Sequence, residues 1–389
     1  MIAILAPGQG AQTPGMLSPW LELPGVAEQV ELFSDTAKLD LRRLGTTADA
    51  DEIKDTTVTQ PLIVALSLIA AGQLGLETTH STFLAAGHSV GEVAAAAIAG
   101  VLSTADAVAL AAHRGAAMAA ACALAPSGMT ALLGGDPDEV VAAIEAVGLT
   151  AANRNGAGQI VAAGAQDGLT KLAANPPAGV RVRPLPVAGA FHTDFMTSAQ
   201  RPLAEFTHDL TLNDPTHLLL SNYDGTALAT ASLVISNLIG QLTRSVRWDL
   251  CQATIAHLGV NAAIELAPAG ALAGLAKREL PEVKVVALKT PSDLPAALAL
   301  LDNYGAVSQG EHTPDFQVVV TPAKGVFTRH DDLHEGQQVA RGARIGTITT
   351  NRDAHPVIAP SAGELAEWLK HDGDIVAAGL PVARLQSEA

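Results

Sequence analysis

Gly87-His88-Ser89-Val90-Gly91 sets a serine between two glycines, at the G-x-S-x-G spacing of a nucleophile elbow. In an elbow, a sharp bend from strand to helix exposes the hydroxyl, and the flanking glycines give the backbone room. The helix amino terminus behind it brings unpaired N–H groups and a positive dipole end to a developing oxyanion. A tight glycine turn with an incidental serine has the same pattern. A serine hydroxyl also needs a base within hydrogen-bond reach. Among 12 histidines, His192 in Gly189-Ala190-Phe191-His192-Thr193 follows an apolar stretch and a glycine, and is the best candidate. A packed or surface histidine is the other reading of it. His88 adjoins the serine, but its place on the bend points it elsewhere.

Two further groups bear on such chemistry. Gly8-Gln9-Gly10-Ala11-Gln12 lacks the third glycine of a dinucleotide fingerprint and the lysine of a P-loop. A glycine turn after a first strand instead presents a backbone N–H to a reacting carbonyl. Arg114 stands among Ala111, Ala112, Ala116 and Ala117, which fits either an exposed helix face or a buried anion clamp.

These groups need elements to hold them. Ile2–Leu5 reads as a buried strand, Leu62–Leu74 as a buried helix, and Thr82–Ala86 as a short strand entering Gly87. Glu92–Leu102 and Ser103–Ala121 read as helices, the second capped by Ser103. Strand, glycine turn and helix in succession is an α/β signature. From about Ser127 the texture shortens: Met129–Leu133, Gln159–Ala163 and Arg181–Pro186 are strand-like, Pro137–Ala146 and Gly168–Ala174 helical. This predicts a small α+β subdomain over residues 120–190, inserted in a domain of residues 1–305. Residues 306–315 read as a linker.

Composition narrows the partners. The chain of 389 residues is 48% apolar and carries a net charge of -16, so nucleic acid and anionic membranes are poor electrostatic partners. Cys122 and Cys251 have no metal-ligand spacing and suit a reducing compartment. The amino terminus lacks the pattern of a signal peptide, and the apolar run Leu62–Ala71 is too short to span a bilayer. A cytoplasmic protein without a metal is expected.

Several motifs in order then resemble one family. Pro7-Gly8-Gln9-Gly10, Thr59-Gln60-Pro61, Gly87-His88-Ser89-Val90-Gly91-Glu92, Arg114-Gly115, Asn153-Arg154-Asn155, Ala190-Phe191-His192 and Gln241-Leu242 are similar to those of malonyl-CoA:acyl-carrier-protein transacylases and polyketide-synthase acyltransferase domains. The resemblance covers residues 1 to about 290. It implies an α/β-hydrolase-like core carrying a ferredoxin-like subdomain, and malonyl transfer from coenzyme A to the phosphopantetheine thiol of acyl carrier protein. It implies Ser89 as nucleophile, His192 as base, and the backbone N–H groups of Gln9 and Val90 as oxyanion hole. The Gln241 carbonyl would orient His192, Arg114 would pair with the malonyl carboxylate, and Gln60 would line the pocket. Phe191 would fill the space of a branch methyl. Gly189, Asp194 and Ala267-Pro268-Ala269-Gly270 depart from the family pattern, and Asp194 would raise the pKa of His192 if it approached. A serine hydrolase sharing the elbow is the alternative, with a non-enzymatic scaffold behind it. Lys277-Arg278 is the basic pair offered to an acidic carrier.

Beyond the linker lies an internal repeat. Thr321-Pro322-Ala323-Lys324-Gly325 echoes Ala359-Pro360-Ser361-Ala362-Gly363. Gly336, Val339, Gly342, Ile345 and Ile348 are then answered by Gly373, Val376, Gly379, Val382 and Leu385, 37 positions on. Two matched β-units predict an all-β barrel-sandwich over residues 316–389, which resembles a biotinyl/lipoyl attachment domain. Arg352 falls where that family carries its modified lysine, so neither biotin nor lipoate is expected.

Overall fold

The computed structural model describes residues 1–76, 83–305, 316–330, 332–350, 353–360, 362–377 and 379–386. Two compact units divide it, Met1–Val307 and Ser308–Ala389. The expected linker at 306–315 and Arg352 lie outside the described residues.

In the first unit, β1 (Ile2–Ala6) leads through α1 (Val26–Ala37), α2 (Leu41–Thr46) and α3 (Thr56–Gln73) to β2 (Phe83–Gly87), α4 (Gly91–Ile98) and α5 (Thr104–Cys122). The inserted segment follows as β3 (Ser127–Leu133), α6 (Pro137–Ala146), β4 (Thr150–Gly156), β5 (Gln159–Ala165), α7 (Gln166–Ala174) and β6 (Arg181–Pro184). The chain returns through α8 (Thr197–Thr207), β7 (Leu218–Leu219), α9 (Ala231–Gly240), β8 (Val246–Arg247), α10 (Trp248–His257), β9 (Ala262–Glu265), α11 (Ala271–Glu279), β10 (Lys284–Ala287) and α12 (Leu294–Tyr304).

The central sheet runs β10-β9-β1-β2-β7, with every pairing parallel. β1 and β2 are buried throughout, as strands covered on both faces must be. The inserted segment makes a second sheet, β6-β3-β5-β4, extended by β8. Its elements run in the order β-α-β-β-α-β, and β4 is a strand that the sequence reading missed. β4 is broken by register shifts at Ala151/Asn153 and Arg154/Gly156, so its side chains do not alternate with period 2.

Two other expectations need correction. α4 ends at Ile98 rather than Leu102, because Gly100 turns the chain at φ +87°. The apolar helix α3 is 18 residues long, enough to cross a membrane by length and composition, but 83% of it is buried inside the fold. Its apolarity is that of a core helix.

Glycine decides how closely the elements meet. A Cβ on Gly91 would stand 2.2 Å from the Ala6 carbonyl oxygen, and one on Gly87 would stand 2.0 Å from the Gly91 carbonyl. The bend between β2 and α4 therefore closes only without side chains there. Gly91→Ala is expected to destabilise the first unit by about 1–3 kcal/mol through overpacking, read as a lower urea midpoint of the helical signal. Between α3 and α5, a Cβ on Gly115 would stand 2.6 Å from the Thr56 carbonyl oxygen, so this glycine lets the two helices touch backbone to backbone.

The second unit consists of two four-stranded sheets, ordered β11-β18-β16-β13 and β15-β14-β12-β17. Its strands are β11 (Phe316–Val320), β12 (Gly325–Arg329), β13 (Gln338–Val339), β14 (Arg344–Thr349), β15 (Ala354–Ile358), β16 (Gly363–Trp368), β17 (Ile375–Val376) and β18 (Pro381–Gln386). The repeat maps each strand of one sheet onto a strand of the other. Its paired glycines share their turns, Gly336 and Gly373 at φ +88° and +91°, Gly342 and Gly379 at +80° and +81°. Phe327, Ile345, Ile348, Leu365, Val382 and Leu385 belong to its buried core.

Candidate active site

Ser89 sits at the bend that follows β2, at φ +54°. His192 lies in the segment after β6, also left-handed at φ +61°. Non-glycine residues in this region carry strain of order 1–3 kcal/mol, held by their surroundings. The two side chains meet: Ser89 Oγ is 2.8 Å from His192 Nε2. The other ring nitrogen, Nδ1, is 2.8 Å from the Gln241 carbonyl oxygen. A carbonyl accepts only, so Nδ1 carries the proton and Nε2 is free to accept the serine's.

Arg114 resolves onto the buried face of α5, beside Leu110, Ala111 and Met118. Nη1 donates to Gln60 Oε1 at 2.7 Å, and Nη2 to Gln241 Oε1 at 2.7 Å and to Ser89 Oγ at 3.3 Å. Its Nε finds no acceptor among the described residues. Burial, relieved in part by Glu92, lowers its pKa to about 10, so the guanidinium stays charged at neutral pH. Gln60, from α3, is itself buried and also donates to Met118 Sδ at 3.3 Å.

One cavity of about 330 Å³ gathers these groups. Gln9, Gln60, Ser89, Val90, Arg114, Phe191 and His192 all line it, together with apolar groups such as Met129 and Val161 from the inserted sheet. Gln241 stands behind the dyad. The amide N–H groups of Gln9 and Val90 donate to no acceptor among the described residues, and both residues face this cavity. Arg278, in the last turn of α11, lines it as well, while Lys277 does not.

Burial above all, then the charge of Arg114, push the His192 pKa down to about 3, against the Gln241 carbonyl, which raises it. The imidazole is therefore neutral at pH 7, the form that takes a proton. Asp194 plays no part in this. Its side chain is exposed, and both ring nitrogens of His192 are already engaged, so the condition for that rise is not met. Gly189 has a steric reason: a Cβ there would stand 2.5 Å from Cys122 Sγ.

The sequence reading gave no role to the groups that back the site. His88 Nε2 is 2.9 Å from Asn155 Oδ1, and Asn155 Nδ2 donates to Gln159 Oε1 at 2.8 Å, so the bend is tied to the inserted sheet. Glu92 is buried beside Gln241 and Asn222; burial raises its pKa to about 8 against those hydrogen bonds and the Arg114 charge. Glu92 adjoins the serine motif, a signal left unused. Asn222 had none.

Residues 5–288 match the family described as acyl transferase domain. The chain belongs to this acyl transferase family. The match includes every cavity residue named above, and the protein is an acyltransferase. Its sequence is 55% identical over 296 residues to the malonyl CoA-acyl carrier protein transacylase of Mycobacterium tuberculosis strain H37Rv, covering 76% of this chain and 98% of that protein. The crystal structure of MCAT from Mycobacterium tuberculosis superposes with a TM-score of 0.74, covering 77% of this chain and 99% of that one. A type II PKS malonyl-transacylase, solved in complex with its holo acyl-carrier protein, is 28% identical with a TM-score of 0.72, covering 77% of this chain and 99% of its own.

Proposed function

We propose that this acyltransferase moves the malonyl group of malonyl-CoA to the phosphopantetheine thiol of acyl carrier protein through an ester on Ser89. The observation that carries this is the charged, buried guanidinium of Arg114 in the cavity that holds the Ser89–His192 pair. A carboxylate is costly to bury unless a well-placed cation meets it, and guanidinium does so in two-point fashion. An acyl group with a free carboxylate is what such a cavity accepts.

In this reading, His192 takes the Ser89 proton as Oγ attacks the thioester carbonyl. The backbone N–H groups of Gln9 and Val90 meet the oxyanion. As the C–S bond breaks, His192 returns the proton to the leaving coenzyme A thiol. The carrier thiol then enters, gives its proton to His192 and attacks the ester, and Ser89 leaves with that proton. The Gln241 carbonyl holds the imidazole, and Gln60 holds the guanidinium. Arg278 at the cavity would meet the acidic carrier or the phosphates of coenzyme A.

Phe191 is read as the wall that rejects a branch methyl. Phe191→Ala is expected to raise the methylmalonyl-to-malonyl ratio of kcat/KM by about 10–100-fold, since one methyl is worth about 1–3 kcal/mol. An unchanged ratio would remove that role.

The first unit is read as α/β-hydrolase-like, its β-α-β-β-α-β insertion as ferredoxin-like, and the second unit as biotinyl/lipoyl-like without biotin or lipoate. Fatty-acid or polyketide synthesis in the cytoplasm is the setting that these readings support. Intact-protein mass spectrometry after mixing with malonyl-CoA tests the main proposal. A malonyl adduct on wild type that holo acyl carrier protein discharges supports it. Discharge by water at a comparable rate would make the protein a serine hydrolase instead.

A further inference from the structure

Behind the bend, two buried polar residues take no part in the transfer just described. Asn222, on the turn after β7, accepts the Ser89 backbone N–H on Oδ1 at 2.8 Å and donates from Nδ2 to the Gly87 carbonyl at 2.7 Å. One side-chain amide thus holds the two peptide units that flank His88. Glu92 accepts the Asn222 backbone N–H at 3.1 Å on one oxygen and Gln241 Nε2 on the other. Gln241 Nε2 also donates to the Ser89 carbonyl at 3.1 Å.

We propose that Asn222 and Glu92 are positioning residues that hold the Ser89 bend and the Gln241 segment together, and so set the hydroxyl against the imidazole. Neither lines the cavity. A serine at φ +54° leaves that conformation unless its neighbours fix it; Asn222 fixes the two peptide units before it, and Gln241 holds the carbonyl after it. Glu92 completes the circuit by seizing Asn222 through its backbone and Gln241 through its side chain. Gln241 then has acceptors on its nitrogen side and the Arg114 guanidinium on its oxygen side, which leaves its amide one orientation. Its own carbonyl holds His192. The same circuit commits the Ser89 N–H to Asn222, which leaves the oxyanion to Gln9 and Val90.

The inference rests on the proposed role of Ser89, but not on malonyl as its substrate. In the full-length protein, Ser89 acylation is timed with malonyl-CoA and, separately, with p-nitrophenyl acetate. Asn222→Leu is expected to slow acylation by both reagents about 100-fold, as a small misplacement does, with KM for malonyl-CoA near wild type. Asn222→Asp keeps an acceptor for the Ser89 N–H and is expected to recover about tenfold of that loss. Glu92→Gln turns an amide nitrogen toward the nitrogen of Gln241 and is expected to slow acylation about tenfold. Wild-type rates in Asn222→Leu, an aspartate no better than leucine, or a loss confined to KM would each overturn the proposal. Should Asn222→Leu fail to fold by circular dichroism, wild-type rates in Asn222→Asp and Glu92→Gln together would overturn it. A wild type acylated by the ester but not by malonyl-CoA would remove the substrate reading alone, and the ester rates would still decide this one.

Discussion

Ser89→Ala is expected to form no malonyl adduct and to lose transfer activity by a factor on the order of 10⁴ or more. In the proposed transfer the hydroxyl is the atom that carries the acyl group, and 2.8 Å separates it from the only group placed to take its proton among the described residues. His192→Ala should cost a comparable factor, and the double variant should be scarcely worse than either single one, because the two groups act as a unit. Additive losses would show that they act in separate steps. The strain at the bend supplies a second readout. Ser89→Gly removes the left-handed penalty along with the nucleophile, so it is expected to be inactive yet more stable than Ser89→Ala by about 1 kcal/mol. Equal stabilities in a denaturant titration would contradict the strained geometry.

Much of this site was legible because its residues are constrained locally. The glycines around Ser89 announce a bend, and the structure gives the reason in the absent room for Cβ atoms at Gly87 and Gly91. The repeat in the second unit was legible for a similar reason, since glycines at matching positive φ mark equivalent turns. What stayed hidden depends on distant chain. From its neighbours alone Arg114 fits either an exposed face or a buried clamp, and the choice is made only when α3 packs on that face and Gln60 meets it. Asn222 sits in Ser221-Asn222-Tyr223-Asp224-Gly225, a stretch that reads as a turn, and only the pairing of β7 with β2 brings it to the bend. β4 was missed because its bulges destroy the alternation by which a strand is recognised.

Arg114→Ala separates the carboxylate-bearing substrate from all others. Loss of one partner from a buried ion pair costs about 3–5 kcal/mol, so malonyl transfer is expected to fall by roughly two to four decades, while transfer of acetyl changes far less. Equal losses on both acyl groups would end the clamp reading. The pH dependence provides an independent check with a definite sign. The Arg114 charge is among the causes that depress His192 to about 3, so removing it lets the imidazole bind a proton more readily. The acid limb of acetyl transfer by Arg114→Ala should therefore lie at higher pH than that of wild type. In wild type, a bound malonyl carboxylate partly cancels the same charge, so its malonyl limb should lie above its acetyl limb. A limb displaced to lower pH would mean that the field at His192 comes from elsewhere.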